Sequence, residues 1–317
     1  RVIAGASYRW NEAWKLELEV EGLNGPAFGE TTDIGLGRGG KLGADDSFLR
    51  ARHGARDIQQ VLPRKLNIAR GGIWGVGTAG IDTIHWGTGM LANDGLQEQA
   101  FGESLRGNVA ARAGVLVAPF GVRDGSKVQK LAFFAAADMP LRDEGTDFFL
   151  GDRAYAALGA VRWAYRWTEA GVFTSYRWQE DRDDPLFPGD EPSRVAAVPV
   201  DLWIKHSFPV KGRPYRIQAE AEVARIHGRT DRPYTVETLE DGAKLQSLGA
   251  LGRLRLDHDP LGLTAVLEAG YASGDNDMRD GTIRAFRFHS DHNVGLVLFD
   301  HVLPLMTARS TDRVGDP

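Results

Sequence analysis

The sequence predicts an all-β fold, an antiparallel up-and-down transmembrane β-barrel with about twelve strands in this chain of 317 residues. Three observations predict it. Apolar and charged residues alternate with a period of two over long stretches, which puts one kind on each face of a strand. The stretches run to roughly ten residues, the length a tilted strand needs to cross a bilayer, whereas strands in soluble sandwiches centre on five or six. The connectors between them alternate short and long, as in a barrel with tight turns on one rim and loops on the other.

The elements follow in order. A first strand is expected at residues 2–10. Residues 14–22 read W-K-L-E-L-E-V-E-G, so Leu16, Leu18 and Val20 share one face and Lys15, Glu17, Glu19 and Glu21 the other. Shorter or noisier alternations at 65–74 and 81–86 lead to 108–117, where Val109, Ala111, Ala113, Val115 and Val117 oppose Asn108 and Arg112. Strands are then expected at 128–138, 154–165, 171–179 and 198–208. In 214–226, Ile217, Ala219 and Val223 oppose Arg216, Glu220 and Glu222. Two more strands, at 245–257 and 261–271, complete the set. Connectors 11–13, 75–80, 166–169, 209–213 and 258–260 are short; 23–64, 87–105, 139–152, 180–194 and 227–243 are long; 118–127 is moderate. Trp10, Trp14, Trp74, Trp86, Tyr165, Trp167, Tyr176, Trp178 and Phe208 fall near strand ends, where a barrel places its aromatic girdles.

Composition narrows the rest. The 39 glycines exceed the usual share of about 7%, and in helix interiors each would cost about 1 kcal/mol relative to Ala. The absence of cysteine excludes disulfide frameworks, Cys-based metal sites and thiol nucleophiles. A net charge of -5 speaks against a nucleic-acid partner, and no apolar run reaches the roughly 18–20 residues of a membrane helix.

Three segments carry a family resemblance: Ile84-His85-Trp86-Gly87-Thr88-Gly89-Met90-Leu91-Ala92-Asn93-Asp94-Gly95; Gly270-Tyr271-Ala272-Ser273-Gly274-Asp275; and Phe286-Arg287-Phe288-His289-Ser290-Asp291-His292-Asn293 running on to Phe299. Together with the strands between them, the chain resembles an uncharacterised family of predicted Gram-negative outer-membrane β-barrel proteins, distantly similar to alginate-export porins. The resemblance implies architecture and an outer-membrane location, and it marks His85, Trp86, Asn93, Asp94, Phe288, His289 and Asn293 as motif positions. It also implies a single barrel domain over 1–317, as a fragment lacking a signal segment and the final strands.

The chemical motifs favour structural readings. Gly35-Leu36-Gly37-Arg38-Gly39-Gly40 has the spelling of a dinucleotide loop but is followed by further turn residues instead of a helix. Asp275, Asp277 and Asp280 are weak metal candidates, because their spacing departs from calcium loops. The patch His289, Asp291, His292, Asp300 and His301 lacks a recognisable ligand pattern. No G-x-S-x-G or H-E-x-x-H stretch is present to support catalysis, and no cofactor is called for.

The expected function is therefore non-enzymatic: a polar passage for transport or export of a hydrophilic solute, with saccharide suggested by the resemblance. Its partners would be outer-membrane lipid, lipopolysaccharide and envelope proteins. Lys15, Glu17, Glu19, Glu21, Arg112, Arg216, Glu220, Glu222, Arg253 and Arg255 are the expected lumen lining, with acids and bases in opposed bands. The alternatives are a structural or assembly barrel without channel activity and a soluble β-rich carbohydrate enzyme.

Overall fold

The computed structural model describes residues 2–22, 62–97, 107–120, 130–143, 146, 148, 152–181, 193–209, 214–231, 242–277, 280–289 and 292. Twelve strands run in sequence order: β1 (Val2–Arg9), β2 (Trp14–Gly22), β3 (Leu62–Gly72), β4 (Gly75–Thr83), β5 (Val109–Val117), β6 (Lys130–Arg142), β7 (Arg153–Tyr165), β8 (Thr168–Asp181), β9 (Ser193–Pro209), β10 (Tyr215–Thr230), β11 (Ala243–His258) and β12 (Leu263–Ala272). Each pairs antiparallel with its neighbours in the chain, giving one up-and-down sheet. A two-residue strand, β13 (Thr282–Ile283), adds in parallel to β11. Among the described residues the sheet is not closed, since β1 and β12 are its two ends.

The polarity of this sheet is inverted relative to a soluble domain. Leu16, Leu18, Leu66, Ile68, Val115, Val172, Leu202, Ile204, Val223, Leu254 and Leu267 are exposed, whereas Glu21, Arg64, Arg112, Asp138, Asp201 and Glu222 are buried. The period-two alternation produces this directly: along β10, Glu222 is buried while its neighbour Val223 is exposed.

The turns have local causes. Tyr165 pairs with Thr168 across Arg166–Trp167, with Arg166 in the left-handed region at φ 53°. A 3-10 turn at Asp259–Leu261 is closed by Gly262 at φ 60°, and the His258 side chain accepts from Leu261 N–H. These tight turns lie on one rim, together with exposed Tyr8, Trp10, Trp74, Trp167, Phe208 and Tyr215. Connectors 182–192 and 231–242 leave from the other rim, where Tyr155, Tyr176 and Tyr271 are exposed.

Three sequence expectations need correction. Residues 75–80 form the start of β4 instead of a connector, and the hairpin turn is Ile73–Trp74, between the paired Gly72 and Gly75. Glycines at 75, 77 and 80 hid the strand by removing side chains from the alternation. Residues 84–86, expected to continue a strand, leave the wall, so Trp86 belongs to no girdle. The charged inner face also lacks opposed bands. Acids and bases interleave as local pairs, of which the best formed is the two-pronged contact of Arg112 with Asp138 on the next strand, at 2.8 and 2.6 Å.

That pair is buried on both sides, and Arg112 also donates to Thr83 O at 2.9 Å. Arg112→Leu should destabilise the protein by about 3–5 kcal/mol in denaturant unfolding, because Asp138 is left buried without a counter-charge. The double change Arg112→Leu with Asp138→Leu should recover most of that loss.

Candidate functional site

The inner face is the candidate site, and the wall supplies its first layer. Arg64 of β3, fully buried, donates to Glu19 at 2.8 Å and Glu21 at 3.0 Å on β2. Arg253 of β11 joins Glu220 of β10 to Glu268 of β12. Trp203 Nε1 donates to the other oxygen of Glu220 at 2.8 Å. Lys15 contacts Glu17, and Arg255 pairs with Asp257 at 2.9 Å. Arg216 has the inward parity but sits at the turn rim, largely exposed, and meets Asp259. All ten expected lining residues thus lie on the polar face, and Arg216 and Arg255 mark its solvent-facing margin.

The second layer fills the space over β8–β11. Beyond β4, residues 84–95 fold back against the inner wall and meet residues 284–289 and 292. Trp86 stacks on Phe173 at 5.8 Å and meets Trp203 edge-on at 6.2 Å. Met90 packs with Ala224, Leu251 and Phe286, the hydrophobic cluster of the lumen, with Leu91, Ile226 and Phe288 around it. Backbone bonds tie the pieces together: His289 N–H donates to Met90 O at 2.8 Å, Asn108 N–H to Asn93 O at 2.8 Å, and Phe286 N–H to Ser273 O at 2.8 Å. His289 Nε2 meets Asn108 Oδ1 at 2.9 Å. The described parts of the three segments that carry the family resemblance therefore meet: 84–95 packs with 286–289 and 292 as a plug on the inner face, and 270–275 joins it to the end of β12.

The wall is shaped to receive it. A Cβ on Gly171 would fall 2.5 Å from the Trp86 ring, and one on Gly249 would fall 2.2 Å from the Phe286 ring. Gly87, at φ 57°, brings its backbone against the Glu222 carboxylate, where any side chain would collide, and Thr88 N–H donates to that carboxylate. On the other side, Arg64 donates to Asp94 O. The plug thus spans from β3 to β10 through charged wall residues. Glu222 is the latch that sequence reading placed only as a lining acid. Asp201, buried beside it on β9, was missed because a single acid in an apolar run carries no periodic signal.

Burial disfavours the charged form of two plug histidines, His292 and His85. His292 Nδ1–H donates to Thr88 O at 3.1 Å, which fixes the proton on that nitrogen. Burial, and then the charge of Arg253, pushes its imidazole down to about 4. Glu268 Oε1 lies 3.7 Å from Nε2, beyond hydrogen-bond reach, while Arg253 engages the other oxygen, Oε2. Burial likewise lowers His85, partly opposed by Asp94 at 3.8 Å.

Asp275 and Asp280 are engaged by Arg284, at 3.9 and 2.7 Å, and Asp275 also accepts from the Arg284 and Asp277 N–H groups. They order the approach to β13. Among the described residues no group of three or more His, Asp or Glu side chains is arranged for a metal. The 35–40 glycine loop and Asp291, Asn293, Asp300 and His301 lie outside the described residues.

No family model matches the chain, and no curated protein matches it. Among solved structures, a loop-deletion mutant of OmpT, an outer membrane protein of Vibrio cholerae, aligns over 87% of this chain and 86% of its own at 13% identity, with a TM-score of 0.36.

Two outcomes test the plug. Gly249→Val should displace Phe286 and raise amide exchange across 84–95 while leaving the strand amides protected. Acid should loosen it as well. His292 binds a proton in the unseated plug below about 6.5 but resists one in the seated plug until about 4, so seating weakens as pH falls through that window, by on the order of 3 kcal/mol at its acid end. Exchange of 84–95 should rise over the same window, and His292→Phe should flatten that dependence.

Proposed function

We propose that this chain is an outer-membrane β-barrel whose plugged lumen serves passage or export of a hydrophilic solute, with saccharide as the solute class. One observation carries the reading: the exposed face is apolar and the buried face charged. A soluble monomer rarely exposes contiguous apolar patches beyond a few hundred Å², and a lipid-facing barrel requires them. A hydrated lumen lined by locally neutralised ion pairs suits a neutral, hydroxyl-rich solute better than a single-sign ring would. The saccharide assignment rests on the resemblance to alginate-export porins. The work of the site is passage, without catalysis or cofactor, and the long connectors are the surface offered to envelope proteins.

The plug itself favours a second reading, a structural or assembly barrel with no open channel. Planar-bilayer recording separates the two. Steady conductance by the wild type, or conductance that appears in Gly249→Val, supports a passage. Silence of both variants in a stably inserted state supports the scaffold. A soluble carbohydrate enzyme would remain monodisperse without detergent.

The membrane reading has its own test. Leu254→Arg should cost about 2–4 kcal/mol of stability in bilayers if that site lies near the midplane, measured by urea titration in liposomes. Glu17→Gln on the inner face should be tolerated.

A further inference from the structure

Three neighbouring strands change the chemistry of their outward faces at the same end. On β10 the outward row runs Tyr215, Ile217, Ala219, Ala221 and Val223, then Arg225, His227 and Arg229. On β11 the row from Leu256 to Leu248 gives way to Gln246 and Lys244. On β9 Leu202, Val200, Val198 and Ala196 give way to Arg194. The polar residues of all three rows are exposed, and they lie at the rim from which connectors 182–192 and 231–242 leave.

The register makes this cluster costly as it stands. Arg229 is the direct cross-strand partner of Lys244, and His227 of Gln246. Like charges facing each other across a strand pair are destabilising. Arg64, Arg112, Arg177, Arg194, Arg253 and Arg255 all meet carboxylates. Arg225, Arg229 and Lys244 have none among the described residues. A cation pair with no carboxylate partner among the described residues, beside the end of an apolar band, calls for an anion that also has an apolar part.

Aromatic placement gives a second, independent indication. The row of cross-strand partners that contains Arg229 and Lys244 continues through Ala196 and Trp178 to Tyr155. Trp178 stacks on Tyr155 at 6.0 Å, and Tyr176 next to it is exposed. Rings with an apolar body and a polar tip mark the level of lipid headgroups.

We propose that Arg225, Arg229 and Lys244 form a docking surface for the phosphates of lipid A, the diphosphorylated glycolipid that anchors lipopolysaccharide, with its acyl chains lying along Val223, Leu248 and Val200. The Arg229–Lys244 pair takes one phosphate. Arg225, four residues away on the same face and so about 13 Å along the strand, takes the other. His227 and Gln246 between them face the sugar hydroxyls. This site rests on the outer-membrane reading above.

Native mass spectrometry of the detergent-solubilised protein with added diphosphoryl lipid A tests it. The wild type should retain the lipid, and the triple variant Arg225→Gln, Arg229→Gln, Lys244→Gln should lose at least tenfold in retention. Lys244→Gln alone keeps the test open should the triple variant fold poorly. In lipid-free detergent it should raise the thermal midpoint, because it removes the like-charge pair, and with lipid A present it should fall below the wild type. Retention of lipid A equal in wild type and variants, or equal retention of phosphatidylglycerol by the wild type, would overturn the site. Insertion into liposomes is scored separately: a wild type that does not insert removes the outer-membrane reading, whereas insertion of every variant with unchanged lipid A retention removes only the docking surface.

Discussion

Everything in this structure depends on keeping charge inside a wall whose outside is apolar. A carboxylate or guanidinium on the inner face of a β-strand is held against its neighbours by the register and cannot retreat to bulk water as a surface side chain can. The solution adopted is pairing across adjacent strands: Arg112 with Asp138, Arg64 with Glu19 and Glu21, Arg253 with Glu220 and Glu268. Each bond crosses a strand boundary, so the pairs also fix which residues stand opposite one another. A one-residue slip would turn these charges outward and the leucines inward.

The plug uses the same rule and extends it. Its backbone completes bonding that the wall leaves open, with Thr88 N–H on Glu222 and Asp94 O on Arg64. Its apolar residues, Met90 and Phe286 above all, find inside the lumen the only hydrophobic cluster of buried residues in the described chain. The result is an ordinary protein core in miniature on the charged face of the sheet. The seating of that core therefore depends on a few hydrogen bonds and on two glycine seats in the wall.

Much of the wall was legible in the sequence because period-two alternation is a local signal. In β2 and β10 the apolar and charged faces separate cleanly, and the structure keeps them on opposite sides. The signal failed where side chains were missing or where tertiary contacts decided. Glycines at 75, 77 and 80 erased β4, and Trp86 read as a girdle residue because nothing in its neighbours shows that the chain turns inward after Thr83. The inward face of charges was expected in opposed bands, yet cross-strand pairing neutralises them more effectively at close range. The plug was visible only as three unusual segments, of which the structure describes 84–95, 270–275, 286–289 and 292. What unites them is contact across nearly two hundred residues, such as His289 with Asn108 and His292 with Thr88, which no local pattern records.

The central claim is the inverted wall, and the cysteine-free sequence offers a direct measurement. Leu254→Cys and Arg255→Cys place single labels on adjacent residues of β11 with opposite orientations. A fluorescent label at each, in liposomes carrying nitroxide lipids at defined depths, reports what surrounds it. The account predicts strong quenching by acyl-chain nitroxide at 254 and little at 255, with the reverse order for a water-soluble quencher. Equal access of the aqueous quencher to both positions, or lipid quenching confined to 255, would contradict it.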